Sequence, residues 1–101
     1  MIDRNLYSGL IRLHLLHHAT EGPIFGQAMI DELGRHGYRL SAGTLYPILH
    51  GMERQGYLRS RRALNAGRNR RVYRATPAGR KALVIGRKRV QELFGEMFEH
   101  E

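Results

Sequence analysis

A mainly α-helical chain with one small β-hairpin is the fold class that the sequence predicts, and three observations carry it. Four segments repeat their apolar residues at helical spacing, the mark of a helix with one buried face. The stretch from Tyr57 to Ala75 reads instead as two short strands about a turn. Gly and Pro stand at the boundaries between these segments. With 101 residues the chain makes one small unit whose core is modest for its surface.

The first helix is predicted from Asn5 to His18, with Leu6, Leu10, Leu13 and Leu16 or His17 on one face, ending before Gly22-Pro23. The second runs from Gly26 to Arg35, with Met29, Ile30 and Leu33 apolar and Gly34 and Gly37 at its exit. The third has Ser41 as N-cap, runs to Arg54 and stops at Gly56. Its buried face is Leu45, Ile48, Leu49 and Met52, while Gly43, Pro47, His50, Gly51 and Arg54 fall opposite. Pro47 is tolerable near the N-terminal end: a start at Gly43 or Thr44 leaves it in the first turn, and a start after Ser41 sacrifices one hydrogen bond. The hairpin is predicted as Tyr57 to Ala63, a tip at 65–69 and Arg70 to Ala75. The last helix opens at Thr76-Pro77, a cap followed by a proline whose missing N–H costs nothing there, and continues to the C-terminus.

Charge separates along this chain. From Arg54 through Arg89 there are thirteen Lys or Arg and no Asp or Glu; after Arg89 come Glu92, Glu96, Glu99 and Glu101 with no Lys or Arg. The formal net charge is +8, which favours a polyanionic partner, nucleic acid first. Fifteen of the 17 basic residues are Arg, whose planar fork suits phosphate and base edges. The absence of Cys excludes a disulfide framework and fits a reducing compartment, and no apolar stretch approaches the roughly 20 residues that span a bilayer. A soluble, cytoplasmic protein without a membrane partner is expected.

Three helices followed by a hairpin is the order of a winged helix-turn-helix, whose third helix enters the major groove while the hairpin reaches the flanking backbone. Most of the outward face of the third helix has little bulk, so it can lie close to a groove wall, with Thr44 and Tyr46 flanking it as hydroxyls. Ser41, Gly43, Thr44, Tyr46, Pro47, His50 and Arg54 are the candidate DNA-binding residues of this helix, and Arg68, Arg70 and Arg71 those of the wing.

GTLYPILHGMERQGYLRSRR, followed by GRNRRVYRATPAGRKAL, resembles the PadR family of bacterial transcriptional regulators. The likeness extends back through LIRLHLLHHATEGPIFGQAMIDEL and so covers essentially the whole chain. It implies a winged helix-turn-helix domain over 1–76, a single C-terminal dimerisation helix over 77–101, and a dimeric repressor that releases a DNA operator when a small molecule binds.

The last helix carries its own expectation. Leu83, Gly86, Val90, Leu93, Phe94, Met97 and Phe98 lie within one arc, a stripe too long for one small domain to cover. A two-fold homodimer is expected, this helix packing on the partner's first and last helices. Phe94, Met97 and Phe98 would make that seam adaptable enough to admit a flat apolar or aromatic effector between subunits.

Other chemistries fit less well. His14, His17 and His18 place two imidazoles at i, i+4 with Glu21 close behind, but a metal centre wants three or four ligands, so no metal and no cofactor is expected. Asp31 and Glu32 are adjacent and therefore on different helix faces, and no Ser sits in a nucleophile elbow, so no enzyme is expected. GRNR at 67–70 lacks the second Gly and the Lys-Ser/Thr of a phosphate loop. The alternative reading is a non-specific RNA- or ribosome-associated winged-helix protein, against which the acidic, apolar C-terminal helix argues.

Overall fold

A computed structural model describes residues 3–99, with the side chains of Asn65 and Glu99 left aside. The order is α1 (Arg4–Glu21), β1 (Ile24–Phe25), α2 (Gly26–Arg35), α3 (Ala42–Arg54), β2 (Leu58–Asn65), β3 (Arg68–Ala75) and α4 (Pro77–Phe94), closed by a π-helical turn over Gly95–Glu99. The strands form an antiparallel sheet in the order β1-β3-β2.

Local chemistry sets most boundaries. The Asp3 carboxylate accepts from the N–H groups of Asn5 and Leu6, so α1 begins one residue before the predicted Asn5 and runs three past His18. Gly37 and Gly56 end α2 and α3 with the same motif: each adopts positive φ, which glycine takes without strain, and the following N–H reaches back to the carbonyls of Leu33 and Met52. Thr76 caps α4 by accepting from Gly79 N–H at 3.0 Å, and its own N–H and hydroxyl bond the carbonyls of Tyr57 and Gly56.

Ile11, Leu15, Leu16 and Ala19 from α1, Met29 and Leu33 from α2, Leu45, Leu49 and Met52 from α3, and Ile24, Leu58 and Tyr73 from the sheet form one core. The predicted faces of α2 and α3 are the buried ones, with Ile30 and Ile48 packed at the margin. On α1 the buried face differs from expectation. Leu6 and Leu10 are exposed and Leu13 half-buried, because α1 is apolar on two sides and turns the Ile11–Leu15 side to the core.

Two further expectations are corrected. The hairpin has a two-residue turn, Ala66-Gly67, rather than a tip over 65–69, and both residues take positive φ, 54° and 76°, the hand that matches strand twist. The last helix does not continue as α-helix to the C-terminus: it widens at Gly95, and residues 100–101 lie outside the described ones.

The first turns of α4 belong to the body, with Gly79 buried and Ala82 and Leu83 packed on the core. Gly86 still lies against Leu13 of α1, and from Arg87 onward every residue of α4 is exposed. The radius of gyration, 14.5 Å, exceeds the about 13 Å expected of a compact chain this long, and the long axis reaches 54 Å. Val90, Leu93, Phe94, Met97 and Phe98 are all exposed on the projecting part.

Candidate nucleic-acid interface

The interface is built on α3. Gly43, Pro47, His50 and Arg54 are exposed along one side of the helix, opposite Leu45, Leu49 and Met52, and Gly51 is half-buried. Because α3 starts at Ala42, Pro47 lies beyond the first turn, so one intrahelical bond to the Gly43 carbonyl is missing. That carbonyl is an acceptor on the outward side.

Ser41 occupies the N-cap position, but its hydroxyl makes no capping bond to the backbone and points to Thr44 Oγ1 at 3.4 Å. Thr44 in turn accepts from Arg4 Nη1 at 2.7 Å, a contact spanning 40 residues of sequence. Arg4 thereby stands beside the N-terminal end of α3, a position that no local pattern announces. Tyr46 is half-buried. Its ring lies over the start of α2, where a Cβ added to Gly26 would run into the Tyr46 hydroxyl, and it neighbours His50 at 6.3 Å between ring centroids. Tyr46 therefore fixes α3 against α2 rather than standing free.

The wing divides its arginines. Arg71 is exposed but tethered, donating to Ser60 Oγ at 3.0 Å, while Ser60 donates through Oγ at 2.7 Å and N at 3.1 Å to the Glu53 carboxylate on α3. Arg68 is exposed beside the turn and Arg70 half-buried. Phe25, Gly26, Tyr46 and the strand from Arg68 to Arg71 enclose a polar cleft of about 210 Å³. The N-terminal end of α2 opens into it without a side-chain cap, a combination of free N–H groups and guanidinium that suits a phosphate.

A separate apolar groove of about 640 Å³ takes its lining from α1 and α4, not from α3 or the wing: Leu10, Leu13, His14, His17, Leu83, Val90 and Phe94 among others. Leu83 thus faces the groove from the packed part of α4, whereas Val90 and Phe94 stand on the projecting part.

The histidines do not stay together. His14 stacks on His36 with centroids 4.9 Å apart, while His17, His18 and Glu21 keep potential ligand atoms within 4.8 Å of one another. Hydrogen bonds from Arg35 and His36 hold the Glu32 carboxyl down to about 2, and His18 approaches it at 3.5 Å. Burial, then the neighbouring charges of His36 and His18, lowers the His14 pKa below 6.5. Both shifts oppose protonation in the folded state, so acid destabilises in two windows: from 6.5 downward as His14 is forced to charge, and from 4.5 toward about 2 as Glu32 is neutralised. In melts taken across this range, Glu32→Gln is expected to flatten the lower window and to keep or deepen the upper, because the Glu32 charge works against burial by raising the His14 pKa. Superimposable wild-type and variant curves would refute the assignment.

A low-bulk helix face, a basic hairpin beside it and a polar, arginine-lined cleft between them define a winged helix-turn-helix DNA-binding protein. The chain belongs to the PadR-like family of transcriptional regulators, which matches residues 15–84. It is 50% identical over 94 residues, 93% of its length and 88% of the relative's, to the transcriptional regulator Rv3488 of Mycobacterium tuberculosis. A PadR family regulator from Eggerthella lenta superposes with a TM-score of 0.77 at 29% identity, covering 96% of this chain and 88% of that one. A Streptococcus transcriptional regulator has the same fold, with a TM-score of 0.83 at 18% identity over 93% of this chain and 94% of that one. The protein is accordingly a DNA-binding regulator of a non-enzymatic family, and no helix among the described residues is long and apolar enough to cross a membrane.

Proposed function

We propose that the protein is a ligand-responsive repressor that binds a palindromic operator as a homodimer. The observation that carries the reading is the exposed side of α3, where Gly43, Pro47 and His50 leave room for a groove wall beside the arginines of the wing. In this reading His50 and the Gly43 region meet base edges, Ser41, Thr44 and Arg54 meet backbone, and Arg68 and Arg70 hold phosphates at the cleft. Tyr46 and Arg71 act by positioning α3 and the wing. The exposed apolar end of α4, from Val90 to Phe98, is the dimer seam, and the groove between α1 and α4 receives a partner helix or a flat apolar effector.

Gly43 provides a clean test, since a Cβ there meets only Ser41 Oγ at 3.7 Å and the fold has room for a side chain. Gly43→Leu is expected to keep the melting temperature and to weaken binding to a selected operator at least about tenfold more than binding to random DNA. His50→Ala is expected to shift the same ratio, by about 1–3 kcal/mol of discrimination for one base-edge interaction removed. Equal losses on both sequences, in fluorescence titrations at one salt concentration, would limit α3 to phosphate contacts.

A further inference from the structure

The strand register sorts the wing arginines into two sets. Leu58, Ser60 and Arg62 stand opposite Ala75, Tyr73 and Arg71, and this is the face that carries Leu58 and Tyr73 into the core. Arg59, Arg61, Ala63 and Asn65 stand opposite Arg74, Val72, Arg70 and Arg68, and so share the outer face. Arg59, Arg61, Arg68 and Arg74 are exposed and Arg70 is half-buried. No Asp or Glu lies in either strand, and none of these five arginines forms an ion pair among the described residues.

We propose that this outer face is a second DNA-backbone surface, gripping duplex that lies beyond the segment read by α3. The proposal rests on the reading of α3 and the wing as the operator interface, and extends it to flanking DNA of any sequence. Arg59 and Arg74 face each other directly across the strands, a like-charge pairing that destabilises a sheet unless something outside supplies the counter-charge. At the sheet centre Val72 is buried although it belongs to the outer face, with Phe25 and Arg61 registered on either side of it. Arginine stems beside an apolar patch keep their heads in water, which leaves the exposed Arg59, Arg61, Arg68 and Arg74 available, while Arg70 is partly buried with its Nε unpartnered. Same-face residues of one strand are about 6.6 Å apart, so the set offers a row of guanidinium groups rather than one point charge.

Continuity selects the partner. Arg68 and Arg70 belong both to this row and to the cleft beside Tyr46, so one duplex leaving the cleft meets Arg61 and then the Arg59–Arg74 pair. To stay in contact it curves toward the protein, and contacts to phosphate alone repay that curvature without reading sequence.

The test compares two duplexes carrying the same site selected from a randomised pool. One ends at the segment covered by α3 and the wing turn; the other extends about 10 base pairs further on each side. Wild type is expected to bind the longer duplex at least about tenfold more tightly at low salt. The triple variant Arg59→Ala/Arg61→Ala/Arg74→Ala is expected to bind both equally, at the wild-type affinity for the short duplex. Its salt slope on the long duplex is expected to fall by about 0.9 for each phosphate that is no longer neutralised. Its melting temperature, at or above that of wild type, establishes that the fold is intact, and Arg59→Gln/Arg74→Gln repeats the measurement with the stems largely retained. A variant that keeps the preference for length, one that loses short-duplex affinity equally, or a wild type indifferent to length would each overturn the proposal. The α3 reading is judged separately, by selected site against random sequence on the short duplex in wild type.

Discussion

Phe94→Glu is expected to convert the protein to monomers and to lower operator affinity at least about a hundredfold, the scale of avidity lost when two linked sites become one. Phe94 stands on the projecting end of α4, half-exposed, with its ring 5.1 Å from that of Phe98. In the isolated chain a carboxylate there meets water and costs little. At a two-fold seam the same carboxylate faces apolar side chains and its own symmetry mate, an uncompensated burial. Two α3 helices must be presented about 34 Å apart to read a two-fold site, and a monomer presents one. Sedimentation paired with operator titration is the measurement. A wild type monomeric at micromolar concentration, or a monomeric variant with normal affinity, defeats the dimer reading while leaving the α3 interface untouched.

The second large effect is on stability. A Cβ at Gly79 would collide with the Tyr57 carbonyl oxygen and lie 3.2 Å from Leu16 Cδ1, at the point where α4 joins the body. The Tyr57 carbonyl has nowhere to go, since it accepts the Thr76 N–H at 3.0 Å. Gly79→Ala therefore pushes α4 off the α3–β2 turn, an overpacking that costs about 3 kcal/mol, the upper end of the usual range. For a domain of this size that corresponds to a melting temperature lower by roughly 12–24 °C at fixed protein concentration. Gly86→Ala is the comparison: its Cβ meets only the movable end of Leu13, at 2.7 Å, and the helix gains propensity. Equal melting of the two variants would show that α4 yields as easily at its base as along its length.

What the sequence disclosed and what it hid follow from the range of the interactions involved. The extent and buried side of α3 were legible because one apolar stripe, a proline near the start and Gly56 at the end all act within a few turns. The side of α1 that meets the core was not, since Leu6, Leu10 and Leu13 compete with Ile11, Leu15 and Leu16, and only tertiary packing chooses between two apolar stripes. The sequence suggests too wide a hairpin turn because Ala66 occupies a left-handed position that Asn, Asp or Gly usually fills. Only the width of the turn was missed: the predicted strand ends, Ala63 and Arg70, are themselves a registered pair, so the two faces of each strand stay as read. Strand β1 is only two residues long and pairs solely through Ile24 and Phe25, below what periodicity can register. The low-bulk side of α3 was visible in residue types alone, whereas the bonds from Arg4 to Thr44 and from Arg71 through Ser60 to Glu53 join distant parts of the chain.

α1 answers to several neighbours at once. Ile11, Leu15 and Leu16 serve the core, Leu10 and Leu13 line the groove against α4, and Arg4 holds Thr44 at the head of the reading helix. Over its 18 residues, about 27 Å, it is a rod with a bond at one end and a groove along its flank. A mutation at Arg4, Leu13 or Leu15 therefore reaches α3, α4 or the core, while the exposed end of α4 can exchange side chains with little effect on the fold of the single chain. A change in α1 is thereby felt at the head of α3 and along the α4 groove together, so the first helix couples the two ends of the molecule.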